Sequence, residues 1–389
     1  MEISVTGLGI ISAIGLDLEQ NYNSLRNLSS GVSKITLIEG LSKDFLGGEV
    51  KLSNKELAEL AFGKDVKEKL PRSLLLSLIA AKQAWGNNKP NSCIRTAMIG
   101  ATTIGGMDLT EQYFKTKESV ESLHQHPCGI ITDYLANYFQ LEDFKTTVST
   151  ACSSSANAIM LGSRMIQNNL FDRVLIGGGD ALTKFTINGF NSLRIYDNEP
   201  CKPFDDNRNG LNLGEAAGYI ILENNKSIAI TKNNKIASIL GWGNANDSYH
   251  QTASSPNGAG AQKAMQIALE EANLVPDDID YINAHGTATP NNDLSEGRAI
   301  ETLFGETTLF SSTKAYTGHT LAAAGIIECI FSILSIQNNT IFPVLNNNEK
   351  MSELKIIPVK KLMKNVKIDT VLSNSFGFGG NNASIIIGR

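Results

Sequence analysis

The chain has 389 residues, of which 42% are hydrophobic and 19% are charged, as is usual for a globular protein. This length exceeds the usual size of one hydrophobic core and favours two similar halves, which we predict at residues 1–225 and 226–389. A formal net charge of −5 argues against a protein that binds nucleic acid or an anionic membrane surface.

The first half alternates short strands with helices. Helices are predicted at Tyr22–Leu28, Arg72–Trp85 and directly after Cys152, and strands at Ile3–Val5, Ala97–Ala101, Thr146–Ser149, Arg173–Ile176 and Gly218–Leu222. Such alternation predicts α/β layers with mostly parallel sheets. The three glycines Gly177–Gly179 after one strand do not fit a dinucleotide motif and predict close backbone packing.

Cys152 lies where a predicted strand gives way to a helix, because Ala156, Ile159 and Ile166 recur after it at helical spacing. A helix N-terminus lowers the pKa of a thiol, and the thiolate is the form that attacks carbonyl groups. The small residues Ser153–Ser155 leave room for a substrate carbonyl. Taken alone, the same cysteine also fits a buried structural thiol.

The second half follows a polar segment, 226–234, and repeats the strand–helix alternation. Helices are predicted at Gln262–Asn273 and Thr320–Ile336, and strands at Ile236–Leu240, Ile279–Asn283, Val371–Asn374 and Ala383–Ile387. The two halves show no letter-by-letter repeat, so any duplication is expected in structure alone.

Two histidines of the second half lie in loops of small residues, His285 before Gly286 and His319 after Gly318. Lys314 and Glu328 flank His319 and could pair to orient its ring and set the local charge, although an ordinary surface pair is equally compatible. Zinc held by Cys152 and the two histidines is a rival, but no close ligand pair supports it and we predict no metal.

A glycine-rich turn near the C-terminus carries Phe376 and Phe378. No Gly-Lys-Ser/Thr follows it, so it is not a phosphate-binding loop, and it suits a gate or an oxyanion donor.

The five cysteines are single, widely spaced and odd in number, which argues against a disulfide framework and favours a reducing cytoplasm. The chain begins with a strand that carries an acidic residue, unlike a signal peptide. We find no apolar stretch long enough to span a bilayer.

The chain resembles the β-ketoacyl-acyl carrier protein synthases, the elongating condensing enzymes of the thiolase fold. The matching pieces run in the family's order over nearly the whole chain: Thr150-Ala151-Cys152-Ser153-Ser154, Pro203-Phe204-Asp205 with Arg208 and Gly210, Gly214-Glu215, His285-Gly286-Thr287-Ala288-Thr289-Pro290 with Asp293, Ser312-Thr313-Lys314 with Gly318-His319, and Asn374-Ser375-Phe376-Gly377-Phe378-Gly379-Gly380-Asn381. Each piece is weak alone, but the set is specific.

The resemblance implies a five-layered α/β/α/β/α body made of two related halves, a homodimer, and no cofactor. It implies that Cys152 takes an acyl group from an acyl carrier protein thioester. Malonyl-carrier protein then loses CO2, and its carbanion attacks the acyl-enzyme to give a 3-oxoacyl-carrier protein. His285 and His319 would stabilise the enolate, with Lys314 tuning them and Glu328 holding Lys314.

The resemblance also implies roles outside this catalytic set. Backbone N–H groups of Cys152 and Phe378 would form the oxyanion hole, and Phe378 would be a gate. The substrate would contact Ile104, Phe190, Phe376, Thr287 and Thr289. A basic cluster is expected to receive the acidic carrier protein, or is a solvated helix face; its members are Lys64, Lys67, Lys69 and Arg72, with Arg194.

Two readings within the same fold do not fit the sequence. A thiolase would carry a second cysteine near the C-terminal glycine turn, and residues 374–381 contain none; a chain-initiating synthase would carry an asparagine where this chain has His319. A subunit of a ketosynthase heterodimer, a silent partner subunit, and a general acyltransferase or thioester hydrolase are the remaining alternatives. Departures at Lys202 and Leu211 leave the acyl chain open, so a polyene or polyketide route is as compatible as fatty-acid synthesis.

Overall fold

The computed structural model describes residues 2–41, 44–63, 69–116 and 123–389. The strands are β1 (Ser4–Ser12), β2 (Val32–Lys34), β3 (Leu46–Gly48), β4 (Thr96–Ala101), β5 (Phe144–Val148), β6 (Arg173–Asp180), β7 (Ala216–Glu223), β8 (Ala237–Asn246), β9 (Tyr281–Asn283), β10 (Phe310–Ser311), β11 (Thr340–Ile341), β12 (Met363–Lys364), β13 (Thr370–Gly377) and β14 (Asn381–Gly388). The α-helices are α1 (Leu18–Arg26), α2 (Asn54–Phe62), α3 (Arg72–Trp85), α4 (Met107–Tyr113), α5 (Gly129–Phe139), α6 (Ser154–Gln167), α7 (Lys184–Ser192), α8 (Asn225–Thr231), α9 (Ala259–Ala272), α10 (Pro290–Phe304), α11 (Lys314–Thr317) and α12 (Ala324–Asn338).

Ten strands form one continuous sheet in the order β10-β9-β13-β14-β8-β1-β7-β6-β4-β5. When the five strands of each half are numbered in chain order, both halves read 3-2-4-5-1 across the sheet. The halves meet where β1 pairs with β8, and this pairing involves only Ser4 with Ser238 and Val5 with Ala237. The two halves therefore repeat one topology. They do so without a visible sequence repeat, as expected for a duplication that persists in structure alone.

The prediction of mostly parallel sheets is wrong. β4 pairs in parallel with β5 and β6, and β9 pairs in parallel with β10 and β13. The last strand of each half, β7 or β14, instead runs antiparallel to both of its neighbours. Strand direction depends on these long-range pairings, which the local alternation of strands and helices does not reveal.

The two half-sheets alternate with three layers of helices, which gives five layers in all. α6 and α12 pack against each other, and each also contacts strands of both halves, so they form the middle layer. α3 and α5 cover the outer face of the first half-sheet, while α9 covers the second and packs against α10. The core between the half-sheets contains residues from both halves, and each outer helical layer has its own apolar cluster.

The apolar character of α12 follows from its place in the middle layer. By length and composition alone, Leu321–Asn338 could cross a membrane, but 89% of that window is buried inside the protein. The expectation that no apolar stretch is long enough to span a bilayer is therefore wrong for this segment. Its apolar side chains fill the core between the half-sheets.

The glycines at the end of β6 allow close approach of neighbouring elements, as predicted. A Cβ atom on Gly178 would stand 2.7 Å from the carbonyl oxygen of Ala101, and one on Gly179 would stand 2.3 Å from Oγ of Ser77. β6 thus lies tightly against its neighbours and ends at Asp180.

The predicted boundary between residues 225 and 226 falls at the first residue of α8. This short helix connects β7, the last strand of the first repeat, to β8, the first strand of the second. The boundary itself stays a prediction.

Candidate active site

Cys152 sits in a tight turn between β5 and α6. Ala151 has a φ of +52°, in the left-handed region that non-glycine residues rarely adopt. The N–H of Ser154 donates to the carbonyl of Ala151 at 3.1 Å, and the hydroxyl of Ser154 accepts from the N–H of Thr150 at 2.9 Å. These bonds fix the strand-to-helix turn that the sequence predicted, with Cys152 5% exposed.

The ionisation state of Cys152 differs from the expectation. Burial raises the pKa of its thiol to about 11, although the charge of Lys314 and the N–H of Phe378 act to lower it. The backbone N–H groups at this turn do act to lower the pKa, as predicted, but desolvation of the thiolate outweighs them, so the net shift is opposite to the expected one. With its pKa raised, Cys152 is a thiol rather than a thiolate at pH 7.

Two backbone N–H groups point at the sulfur, those of Cys152 itself and of Phe378. They are the groups expected to form an oxyanion hole. Gly377 brings the two segments together, because a Cβ atom there would stand 3.0 Å from the carbonyl oxygen of Thr150 and 3.2 Å from the N of Cys152. Two donors from separate halves therefore converge on one point beside the nucleophile.

His285 and His319 lie against each other. Their ring centroids are 5.3 Å apart with the planes at 87°, and the ring of Phe376 lies 5.9 Å from that of His285. Both rings are buried, and burial together with the charge of Lys314 holds the pKa of each well below its usual value of 6.5. Both imidazoles are therefore neutral at pH 7.

The tautomer of His319 follows from its hydrogen bond. The backbone N–H of Leu321 donates to Nδ1 of His319 at 3.1 Å. A neutral ring that accepts at Nδ1 carries its proton on Nε2, so His319 presents Nε2–H as a donor. Nδ1 of His285 is also buried, and nothing in the described part of the chain hydrogen-bonds to it.

Lys314 and Glu328 form a buried ion pair, with Nζ 2.5 Å from Oε1 and side chains 1% and 2% exposed. Burial raises the pKa of Glu328 to about 7, against the opposing effect of Lys314. The pair belongs to α11 and α12, which flank His319 on both sides along the chain. It is therefore an internal charge pair rather than the ordinary surface pair that the sequence left open.

Cys152, His285 and His319 line one cavity of about 340 Å³. Predicted substrate-contacting residues line it as well: Phe190, Phe376, Thr287 and Thr289, together with Phe378. Phe190 and Phe378 stack with centroids 5.6 Å apart and planes at 17°. The cavity begins among exposed residues, including Asn209 and Thr252, and reaches the buried sulfur, so it connects the thiol to the surface.

Ile104 is placed differently from the other predicted pocket residues. It is buried in the core cluster on the outer side of the first half-sheet, against which Phe190 also packs. Within the described residues it does not line the cavity.

The expected docking cluster divides into three parts. Arg194 is exposed at the cavity rim, and Lys69 is exposed with its ammonium 4.4 Å from the centroid of Tyr113. Lys64 and Lys67 lie outside the described residues. The prediction that Arg72 belongs to the docking cluster is wrong. Arg72 is buried and its guanidinium pairs with Glu215 at 2.7 Å, so it cannot present its charge to a partner protein.

Two buried carboxylates hold the His285 loop. Asp293 was recognised from the sequence only as part of a matching motif, and Glu296 was not recognised. Glu296 accepts from the N–H groups of His285 and Gly286, each at 2.8 Å, and Asp293 accepts from the N–H of Ala288 at 3.1 Å. Burial raises the pKa of Glu296 to about 7. Two acids three residues apart on one buried helix face were the available signal.

The arrangement brings a buried thiol, two backbone donors and two neutral imidazoles to one cavity. Such a set can stabilise negative charge on a carbonyl oxygen through N–H donors that carry no net charge. Within the described ranges, no group of three or more His, Cys, Asp or Glu side chains is arranged to hold a metal ion.

Comparison with known families covers most of the chain. Residues 1–227 match the model of the beta-ketoacyl synthase N-terminal domain, and residues 236–348 match that of the C-terminal domain. A 3-oxoacyl-(acyl-carrier-protein) synthase 2 of Staphylococcus aureus is 31% identical over 407 aligned positions, covering 99% of this chain and 98% of the relative. The synthase 2 of Coxiella burnetii is 31% identical, covering 100% and 98%.

Similar folds occur among solved structures. The ishigamide ketosynthase/chain length factor superposes with a TM-score of 0.90 and 28% identity, covering 100% of this chain and 99% of the other. A ketosynthase (ApeO) in complex with its chain length factor (ApeC) from Xenorhabdus doucetiae gives 0.83 and 30%, covering 100% and 98%. The five layers seen here are thus those of the thiolase-like fold of ketosynthases.

Proposed function

The chain belongs to the β-ketoacyl synthase family, and we propose that Cys152, His285 and His319 carry out its decarboxylative condensation of an acyl group with malonyl-acyl carrier protein. The product is a 3-oxoacyl-carrier protein two carbons longer than the starting acyl group. The enzyme is an acyltransferase of fatty-acid or polyketide-type biosynthesis.

In the first step the acyl group moves from the carrier protein to Cys152. The sulfur attacks the thioester carbonyl, the bond from that carbon to the carrier sulfur breaks, and the thiol proton passes to the departing carrier thiolate. The N–H groups of Cys152 and Phe378 stabilise the oxyanion that forms, a contribution of about 3 kcal/mol for a single donor in comparable sites. This transfer requires no charged base.

In the second step malonyl-carrier protein enters the same cavity. Its C–CO2 bond breaks, and the electron pair moves into an enolate whose oxygen accepts hydrogen bonds from His319 Nε2–H and from His285. The enolate carbon attacks the acyl-enzyme carbonyl and expels the Cys152 sulfur, which takes up one proton to return to the thiol. Neutral imidazoles can take part in this step, because each ring still carries one N–H group that can donate to the enolate oxygen.

Lys314 and Glu328 set the conditions for these histidines. A buried positive charge nearby disfavours a second positive charge on either ring, so Lys314 keeps the rings neutral. Glu328 fixes Lys314 in place and compensates its charge.

The observation that carries this proposal is the convergence of Cys152, His285 and His319 on one cavity. In the sequence, His285 lies 133 residues after Cys152 and His319 lies 167 residues after it. The test is incubation of the purified protein with acyl- and malonyl-carrier protein, followed by mass spectrometry of the carrier. We expect a 3-oxoacyl product and released CO2. Acyl hydrolysis without chain extension would contradict the proposal.

A second candidate concerns assembly rather than chemistry. Two of the similar structures are described with chain length factors, and the second candidate is therefore the catalytic subunit of a ketosynthase heterodimer. A homodimer that condenses alone is our first expectation. Condensation by the purified chain, with a dimer mass in sedimentation, supports the homodimer; activity only after a second subunit is added supports the heterodimer.

We assign carrier-protein docking to the cavity rim, where Arg194 is exposed. An acidic carrier protein is the partner that this charge fits, with Lys69 as an additional exposed cation. A cytoplasmic location is proposed, since the five cysteines are free thiols and suit a reducing compartment.

A further inference from the structure

Asp180, at the end of β6, is fully buried and lies outside the cavity wall among the described residues. Its carboxylate accepts from the hydroxyl of Thr102, from the N–H of Thr103 at 3.0 Å and from the hydroxyl of Thr103. These three donors belong to the first half. The fourth is the backbone N–H of Ala322, which donates to Oδ2 at 2.9 Å from the second half of the chain.

The segment that Asp180 holds contains a strained residue. Leu321 has a φ of +54°, a conformation that branched non-glycine side chains disfavour and that persists only where neighbouring contacts enforce it. The N–H of Leu321 donates to Nδ1 of His319, and the next N–H, that of Ala322, donates to Asp180. One carboxylate therefore anchors the turn that sets the tautomer of a catalytic histidine.

We propose that Asp180 is a positioning residue for the malonyl half-reaction, which keeps the proton of His319 on Nε2 by anchoring the strained Leu321–Ala322 turn. This inference rests on the function proposed above, because it assigns His319 to enolate stabilisation. Asp180 reaches His319 only through two backbone N–H groups and does not act on the substrate itself.

Loss of the anchor has a defined chemical consequence. Without Asp180 the turn can relax toward ordinary backbone angles, and the N–H of Leu321 moves away from Nδ1 of His319. The ring then populates both neutral tautomers, and the fraction that offers Nε2–H to the enolate falls. Acyl transfer to Cys152, which relies on the backbone donors, does not depend on this proton.

The test compares Asp180→Ala and Asp180→Asn with Thr103→Val. The last variant removes a hydroxyl donor from the same carboxylate but leaves the Ala322 bond in place, so it is a matched control for loss of a contact in this cluster. Intact-mass kinetics measure acylation of Cys152, and CO2 release measures the malonyl step. Spectra of ¹⁵N-histidine protein, with His319→Ala as the reference for assignment, report the tautomer of His319.

We expect Asp180→Ala to slow CO2 release about 10- to 100-fold, the scale of a small misplacement of a reacting group, while acylation changes by less than about threefold. The Nδ1–H tautomer of His319 should become visible, and Thr103→Val should resemble the parent protein in all three readouts. Asp180→Asn keeps one acceptor oxygen and the shape of the side chain, so an intermediate effect is expected even if Asp180→Ala fails to fold.

Equal loss of acylation and CO2 release in Asp180→Asn would show a merely structural role and overturn the proposal. An unchanged His319 tautomer in that variant would do the same. If the parent protein fails to acylate Cys152, the proposed function fails, but the tautomer spectra still decide what Asp180 does.

Discussion

The two halves of the molecule carry different chemistry at equivalent strand ends. The third strand of each half, β5 or β10, precedes a helix of the middle layer, and the connecting segment holds Cys152 in the first half and His319 in the second. The fourth strands, β6 and β13, lead to Asp180 and Phe378. The duplicated topology therefore brings Cys152, His319 and Phe378 to one cavity, with Asp180 outside its wall.

The halves differ in where their buried ion pairs lie. In the second half the pair of Lys314 and Glu328 lies beside the two histidines, whereas in the first half the pair of Arg72 and Glu215 lies outside the cavity wall. The first half supplies the thiol and the turn around it. This difference suggests a division of labour, in which the first half holds the acyl group and the second half controls protons and negative charge during the malonyl step. Substitutions in each half should therefore affect different half-reactions.

The largest expected effect is that of Cys152→Ala, which removes the acyl acceptor of the first half. Acylation should fall to background, because the alanine side chain has no nucleophile. Intact-mass measurement after incubation with acyl-carrier protein checks this, and thermal unfolding close to that of the parent shows that the fold persists. Residual chain extension at the parent rate would contradict the account.

The next effect is that of His319→Ala in the second half. Carbon–carbon bond formation should fall about 10²- to 10⁴-fold, as is usual when a proton-handling group is lost. Acylation of Cys152 should continue, which distinguishes the two halves. The checks are product analysis of the carrier protein and intact mass of the enzyme; normal condensation would remove His319 from the mechanism.

A smaller effect, on pH dependence, is expected when the charge of the second half is removed. In the double variant Lys314→Met, Glu328→Gln, no buried carboxylate is left unpaired, and the pKa of each histidine should rise toward 6.5. Since the neutral rings are the active form, activity is lost as pH falls through these pKa values. The acid limb of the rate profile should therefore move to higher pH than in the parent.

The parent profile is the control for this shift. Its acid limb should lie well below pH 6.5, because burial and Lys314 hold both histidine pKa values low. An identical acid limb in parent and double variant would show that Lys314 does not set the ionisation of the rings.

The smallest effect is expected at the rim. Arg194→Glu should raise KM for a carrier-protein substrate about 3- to 10-fold, as for a single exposed charge, and leave kcat unchanged. A small-molecule acyl thioester is the control, since it lacks the acidic surface and should react equally well with both proteins. An equal change in KM for both substrates would show that Arg194 does not take part in carrier-protein docking.

The sequence predicted the chemical groups better than the connections among them. The turn at Cys152, the helix Arg72–Trp85 and both histidine loops follow from local patterns and motifs, and the structure places them as expected. Arg72 was assigned to a basic surface because its neighbours in sequence are cationic. Its actual partner, Glu215, is 143 residues away, and such a pair leaves no local pattern.

The same limit explains why the sequence did not indicate a role for Asp180. A carboxylate that follows three glycines gives no sign of a contact with Ala322, which is 142 residues further along the chain. The antiparallel return of β7 and β14 and the high pKa of the Cys152 thiol are also set by packing between distant segments, which periodicity and motif spacing do not report.

The central claim is that the first half carries the acyl group on Cys152 while the second half activates the malonyl unit. A pulse–chase with labelled acyl-carrier protein, followed by malonyl-carrier protein and peptide mapping, tests it most directly. The account predicts that the label first appears on the peptide containing Cys152 and then moves into the 3-oxoacyl product on the carrier. Label on another residue, or product formed while the Cys152 adduct remains, would contradict it.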